Sequence, residues 1–302
     1  MSTTPKRLLL AVDGSPRSMQ TVRYAASENA FDGMQLVLFH VFNSIPDTYY
    51  DLEREPKSVK IVSQVRGWEA QQRKAITAYM AEAKKILLDA GHAEAAVETR
   101  IVNRKKGAAR DIIAEAQKGY HAVLACRRGA TALETILIGS VTQKLLEKIS
   151  IPILIAGQTP ANGKLLLAVD GSEGAKRAVQ FVADTRGPRQ DDRFLLVHVL
   201  RNVPTFDIEA FFEEELVDNQ SVFDGARDIL VRGGCKPEHL ATRTITGVAS
   251  RAGAIIETAA AEGCGTIVVG RRGLSRMAEF FMGRVGNKVV QASDAQTVWV
   301  VP

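Results

Sequence analysis

The chain has only three cysteines in 302 residues, Cys126, Cys235 and Cys264, and none of them has a counterpart in the internal repeat described below. An odd, unmatched set argues against a disulfide framework and against a metal cluster, and it fits a reducing compartment. No apolar run is long enough to span a bilayer, so no membrane partner is expected. The N-terminal stretch MSTTPKRLLLAVDGS does not read as a secretory signal, because its apolar run passes straight into an Asp-Gly turn. Together these absences predict a cytoplasmic protein. The 39 basic residues are scattered among 34 acidic ones and do not interleave with aromatics. The net charge of +5 is therefore a weak pointer, and nucleic acid is an unlikely partner. No Gly-Lys-Ser/Thr phosphate loop is present after the first strand-like run, and no general base stands out nearby.

What the chain does have is the same text twice. Residues 8–15 read LLLAVDGS, and residues 165–172 read LLLAVDGS again. LVLFHV ending at Val41 answers FLLVHV ending at Val199, and CRRG at 126–129 answers GRRG at 270–273. A further glycine follows each turn, Gly139 and Gly283. Landmarks in one order at this spacing mean two copies of one domain, divided here as 1–158 and 159–302. Asp13 and Asp170 are 157 residues apart, whereas Gly139 and Gly283 are 144 apart. The second copy has thus lost residues in between, which predicts a shortened surface loop or helix end.

Within each copy, short runs rich in Leu, Val and Ile alternate with helical patterns. The runs lie at 7–12, 36–41, 97–102, 122–126 and 152–156, and again at 164–169, 194–199, 241–246, 266–270 and 297–301. Mostly continuous apolar runs predict strands covered on both faces, as in a parallel sheet. Helical spacing links Met19, Val22 and Ala26, then Ile76, Met80, Ala83 and Leu87, with further helices around Ile112 and Leu145. The second copy repeats the series around residues 178–182, 223–230, 255–259 and 285–290. Ser15-Pro16 predicts an N-cap followed by proline in the first turn. Five strands alternating with four helices give a doubly wound α/β domain, and 157–163 (GQTPANG) reads as a linker.

In such a sheet, ligands bind beyond the carboxyl ends of the strands. Three features converge there in each copy: Asp-Gly-Ser after the first strand, a glycine turn after the fourth, and a glycine opening the last helix. Glycines admit a phosphate close to backbone, and a helix N-terminus offers unpaired N–H groups. A carboxylate at the neighbouring strand end can accept from ribose hydroxyls. The pattern predicts a nucleotide site with its sugar near Asp13 or Asp170 and phosphates along the glycine loop.

The G-x2-G-x9-G spacing of Gly270, Gly273 and Gly283, with the AVDGS strand end and the VHV strand, resembles the nucleotide signature of the universal stress protein family. The resemblance covers nearly the whole chain twice. It implies two tandem doubly wound domains, each a five-stranded parallel sheet with four helices in the order 3-2-1-4-5, packed as an internal pseudo-dimer through their last strands. It implies ATP or another adenine nucleotide, with or without Mg2+, bound by a cytoplasmic stress-response regulator. The implied contacts in the second copy are Asp170, Val199, Gly270, Arg272, Gly273, Gly283, Arg284 and Val285. In the first copy they are Asp13, Val41, Gly129, Gly139, Ser140 and Val141. A protein partner and a further homodimer are left open, as are a weak ATPase or nucleotidyl transferase and a nucleotide-free interaction module. Each copy departs from the signature once. Cys126 replaces the first glycine, where a side chain is expected to crowd the ribose, and Arg284 stands where the family usually has Ser or Thr. The second copy is therefore expected to bind better.

Other residues weigh toward structure. His40 and His198 lie inside apolar strands and read as satisfied structural histidines. The run Arg104-Lys105-Lys106 and the cluster Glu213-Glu214-Glu215 with Asp218 read as solvated surface. The arginine pairs 127–128 and 271–272 fit either a phosphate or a solvated loop.

Overall fold

A computed structural model describes residues 5–45, 59–127, 138–187, 191–201, 219–273 and 282–302. The first half runs β1 (Arg7–Ala11), α1 (Pro16–Ser27), β2 (Gln35–Phe42), α2 (Val59–Asp89) and β3 (Val97–Asn103). It continues with α3 (Ala108–Ala116), β4 (Ala122–Cys126), α4 (Ser140–Lys148) and β5 (Ile153–Ala156). The second half repeats the order with β6 (Lys164–Ala168), α5 (Glu173–Arg186), β7 (Arg193–Arg201), α6 (Asn219–Arg232) and β8 (Leu240–Val248). It closes with α7 (Arg251–Ala261), β9 (Thr266–Gly270), α8 (Arg284–Ala292) and β10 (Thr297–Val301).

The ten strands form one sheet, ordered β3-β2-β1-β4-β5-β10-β9-β6-β7-β8. Each half has the expected 3-2-1-4-5 order, and all pairs within a half are parallel. The halves meet where β5 and β10 pair antiparallel, with Leu154 opposite Trp299. An apolar edge strand in each half is thereby covered by the other, which removes two exposed edges. The central strands are buried on both faces, as continuous apolar runs require. The outermost strands β3 and β8 are not: only the first residue of each, Val97 and Leu240, is buried, and the rest are half-buried or exposed. Residues of α1, α2, α5 and α6 join one continuous core that crosses both halves; α3, α4, α7 and α8 cover the other face.

The lost residues can be placed. His40 and His198 are 158 apart, but the starts of β3 and β8, Val97 and Leu240, are only 143 apart. The whole shortening falls in the connection from the second to the third strand, where a 31-residue helix in the first half answers a 14-residue one in the second. The helix starts behave as their sequences predict. Ser15 caps α1 by accepting from the Ser18 N–H at 3.1 Å, with Pro16 in the first turn. Ser172 caps α5 from Ala175 at 3.2 Å. The linker is pinned rather than loose, with Thr159 N–H donating to Ala295 O at 2.8 Å and Asn162 Oδ1 accepting from Gly265 N–H at 3.2 Å.

A polar network is buried over the β5–β10 seam. Arg186 donates to both Glu28 oxygens at 2.7 and 2.8 Å and to both Asp192 oxygens at 2.6 and 2.8 Å. Tyr24 donates to Glu28 at 3.0 Å and accepts from the Trp299 indole at 3.1 Å. Burial works against the Arg186 charge, but Glu28 and Asp192 outweigh it and hold the guanidinium above its ordinary pKa. Trp299 is fully enclosed, with Phe181 edge-on at 5.6 Å and Phe31 stacked at 6.4 Å.

The two strand histidines are structural. The ring Nδ1 of His40 donates to Val12 O at 2.9 Å, and that of His198 to Val169 O at 2.6 Å. Each bond fixes the residue just before a site aspartate. A carbonyl can only accept, so Nδ1 carries the proton. Burial is the main cause that lowers the His40 pKa, against smaller opposing effects of Val12 and Asp13; burial and Lys6 lower that of His121.

Replacing Arg186 with Met leaves Glu28 and Asp192 buried without their cation. We expect a loss of about 3–5 kcal/mol, read from chemical denaturation. His40 and His121 set an acid limit. Their folded pKa values lie below the ordinary 6.5, so the unfolded chain takes up protons more readily. Their effect is absent above that pH and grows as pH falls below it. The melting temperature should drop from about pH 6.5 toward 5, less steeply in His40→Gln. Identical slopes for parent and variant would show that His40 carries none of the effect.

Candidate nucleotide site

Asp13 and Asp170 begin the Asp-Gly-Ser turns at the carboxyl edge of β1 and β6. One oxygen of each closes the turn, Oδ1 accepting from the N–H of Ser15 at 3.0 Å and of Ser172 at 3.1 Å. The turn requires a left-handed residue next, which Gly14 supplies at φ +85° and Gly171 at +76°. The aspartates therefore serve the turn, and in the second half the carboxylate also faces the glycine loop. A methyl group on Gly273 would lie 2.7 Å from Asp170 Oδ2. The sequence motifs at 170–172 and 270–273 are in this way adjacent in space.

Gly283 opens α8 and Gly139 opens α4, and neither N-cap has a side chain to close the first turn. Gly283 N–H donates to Arg271 O at 2.7 Å, and Gly139 N–H to Arg127 O at 2.8 Å. Each helix start is thus tied to the turn after the fourth strand of its half. Arg272, Gly273 and Arg284 are exposed, Gly283 and Val285 half-buried. In the first half Asp13 and Ser140 are exposed, and Gly139 and Val141 half-buried. Val41 is half-buried and Val199 buried at the ends of β2 and β7. Gly129 lies outside the described residues, as do Arg128 and the acidic cluster at 213–218.

The structure changes the reason for one glycine. A Cβ on Gly270 would come within 2.6 Å of Gly174 C and 2.8 Å of Ala175 N, in the first turn of α5. The space beside Gly270 is filled by backbone and is no opening for a sugar, so the glycine is required by strand–helix contact. The first half has Cys126 and Arg17 at the matching positions. There Cys126 is one of the residues lining a cavity of about 70 Å3, with Arg17, Arg127, Gln158 and Asp294.

The first arginine of each pair is also resolved. Arg271 is buried and crosses the seam, donating to Ile149 O and Glu147 O, both at 2.6 Å, at the C-terminal end of α4. Arg127 is buried too, with its Nε 3.8 Å from Asp294 beyond the end of α8. The repeated RRG was the available signal, but the direction of its first arginine depends on the fold. A second group not foreseen is Tyr79 on α2, 2.7 Å from the Ser18 hydroxyl, which accepts from Asp13 N–H at 3.3 Å. Burial pushes its phenol above the ordinary range, so it stays protonated beside Asp13. The second half has Ala175 in place of Ser18 and no such hydroxyl bridge is expected there.

The remaining candidates stay structural. The backbone N–H groups of Lys105 and Lys106 bond Asp111 at 2.8 and 3.1 Å. Burial pushes the Cys235 and Cys264 thiols up to about 11. Among the described residues no group of three His, Cys, Asp or Glu could hold a metal ion. No described helix is long and apolar enough to cross a membrane.

Comparison with known proteins agrees with this architecture. A universal stress protein of Mycolicibacterium smegmatis is 27% identical over 203 residues, 66% of this chain. The match spans 65% of that relative's length. A universal stress protein of Thermus aquaticus is 34% identical over 138 residues, 45% of this chain and 96% of its own. The crystal structure of a universal stress protein from Archaeoglobus fulgidus covers 99% of both chains with a TM-score of 0.63 at 17% identity, a likeness of fold. The sequence profile of the universal stress protein family matches residues 4–157 and again 161–302, so this chain belongs to that family and carries its domain twice.

Proposed function

We propose that this chain is a cytoplasmic stress-response regulator or sensor that binds ATP or another adenine nucleotide, most tightly in its second half. The observation that carries the reading is the meeting of Asp170 Oδ2 with Gly273, next to the uncapped start of α8 at Gly283. In this reading Asp170 accepts from the ribose, and the Gly273 turn and the first N–H groups of α8 receive the phosphates. Val199 borders the base at the end of β7. Arg272 and Arg284 are the exposed cations of the site. Asp13, Val41, Gly129, Gly139, Ser140 and Val141 play the matching parts in the first half. Binding rather than turnover is favoured because no phosphate-loop lysine is present to stabilise a leaving group.

Titration calorimetry with ATP, after removal of any co-purified nucleotide, tests the assignment. Asp170→Ala should weaken the tighter site by about 1–3 kcal/mol, roughly five- to 150-fold, and more than Asp13→Ala does. Affinities equal to the parent in both variants would overturn the ribose role. Incubation of ATP with equimolar protein, read for ADP or AMP, distinguishes binding from slow turnover.

Arg284 gives a sharper test. A cation in the first turn opposes the helix dipole by about 0.3–1 kcal/mol when no anion is present, and a bound phosphate reverses that sign. Arg284→Ser should therefore weaken ATP more than adenosine, and ATP should raise the melting temperature of the parent more than that of the variant. Unchanged ATP affinity would mean that only the backbone of Arg284 serves the site.

A further inference from the structure

The two helices that open the candidate sites also receive, at their far ends, arginines from the opposite half. The antiparallel β5–β10 seam brings these ends within reach of the opposite half. It points the carboxyl edges of the two half-sheets in opposite directions. Each last helix runs antiparallel to its strands, so it starts at its own site and ends at the edge that carries the other one. Helix α4 starts at Gly139, bonded to Arg127 O at 2.8 Å, and ends at Glu147 O and Ile149 O, each bonded to Arg271 at 2.6 Å. Arg271 is itself part of the second site's loop, and its carbonyl accepts from Gly283 N–H at 2.7 Å. Helix α8 then runs from Gly283 toward Asp294, where Arg127 of the first site's loop approaches at 3.8 Å.

We propose that the two sites are positively coupled through this closed circuit, with α4 and Arg271 as its stronger arm. The proposal rests on the nucleotide reading above and adds regulation to it. The nine-residue α4 is about 13 Å long and moves as a unit. An anion at its start and a guanidinium at its end both complement the same helix dipole. Ordering α4 by a phosphate at Gly139 fixes the carbonyls that hold Arg271, and so preorganises the second loop. The second ligand then binds without that ordering cost, and linkage makes the effect reciprocal. Arg271 acts here as a positioning residue.

Two measurements on the full chain test this. The first needs no ligand: amide hydrogen exchange in the parent and in Arg271→Met. Exchange should rise by about tenfold at the Gly139 N–H, at the far end of α4, while β1 and β2 keep their protection. Unchanged protection at Gly139, or an even rise throughout the sheet, overturns the proposal. Arg271→Lys, which keeps the charge but cannot span both carbonyls, carries the same comparison if Arg271→Met does not fold. The second is ATP titration of the second site with the first intact or disabled by Asp13→Ala. Disabling the first site should lower affinity at the second by about fivefold, and Arg271→Met should abolish that difference. Equal second-site affinity in both backgrounds overturns the coupling. If no variant binds ATP, the nucleotide reading fails, and hydrogen exchange alone decides whether α4 links the two loops.

Discussion

The antiparallel pairing of β5 with β10 is the contact on which the rest of the molecule depends. It turns two five-stranded sheets into one of ten strands and buries Trp299 at the join. It lets one helix layer share a core across both halves. It also fixes the relation between the sites, because antiparallel pairing puts them at opposite edges of the sheet. Each site is then next to the end of the other half's last helix. The Arg271–α4 contact is a consequence of that geometry.

The seam is no longer symmetric. Tyr24 corresponds to Phe181, Glu28 to Thr185 and Asn29 to Arg186, and Leu154 pairs with Trp299. Two copies of the first half would bury two Glu28 carboxylates with no Arg186 between them, and a buried charge without a partner is strongly destabilising. Fusion in one chain allows this division of labour. One half supplies the carboxylate and the phenol, the other the guanidinium and the indole. The same divergence reaches the sites. The pair Gly174 and Gly270 lets β9 pack tightly against α5, where the first half has Arg17 and Cys126.

Much of this was legible in the sequence because it rests on short-range physics. The repeated LLLAVDGS, the apolar runs, Ser15-Pro16 and the glycine spacing determined two doubly wound domains, their strand order by resemblance, and the residues gathered at their carboxyl edges. Strand burial and helix capping are decided within a few residues. The strand limits differ from the sequence reading by no more than two residues, β7 and β8 being extended at both ends. The polar character of β3 and β8 follows from their outer position in the ten-strand order, which is a property of the whole assembly.

Only the tertiary structure decided which neighbours those residues meet. Gly270 reads as an open pocket until the first turn of α5 is seen against it. Arg271 reads as a phosphate ligand or a solvated side chain until α4, over 120 residues earlier, presents two carbonyls to it. The Glu28–Arg186 pair joins residues 158 apart, and no local pattern marks either one. By itself the sequence determined the units, their repetition and the chemistry available at each strand end, since hydrophobic periodicity and turn preference are local. Whether a given glycine or arginine serves a ligand or the other half is a matter of long-range packing, fixed only when β5 meets β10.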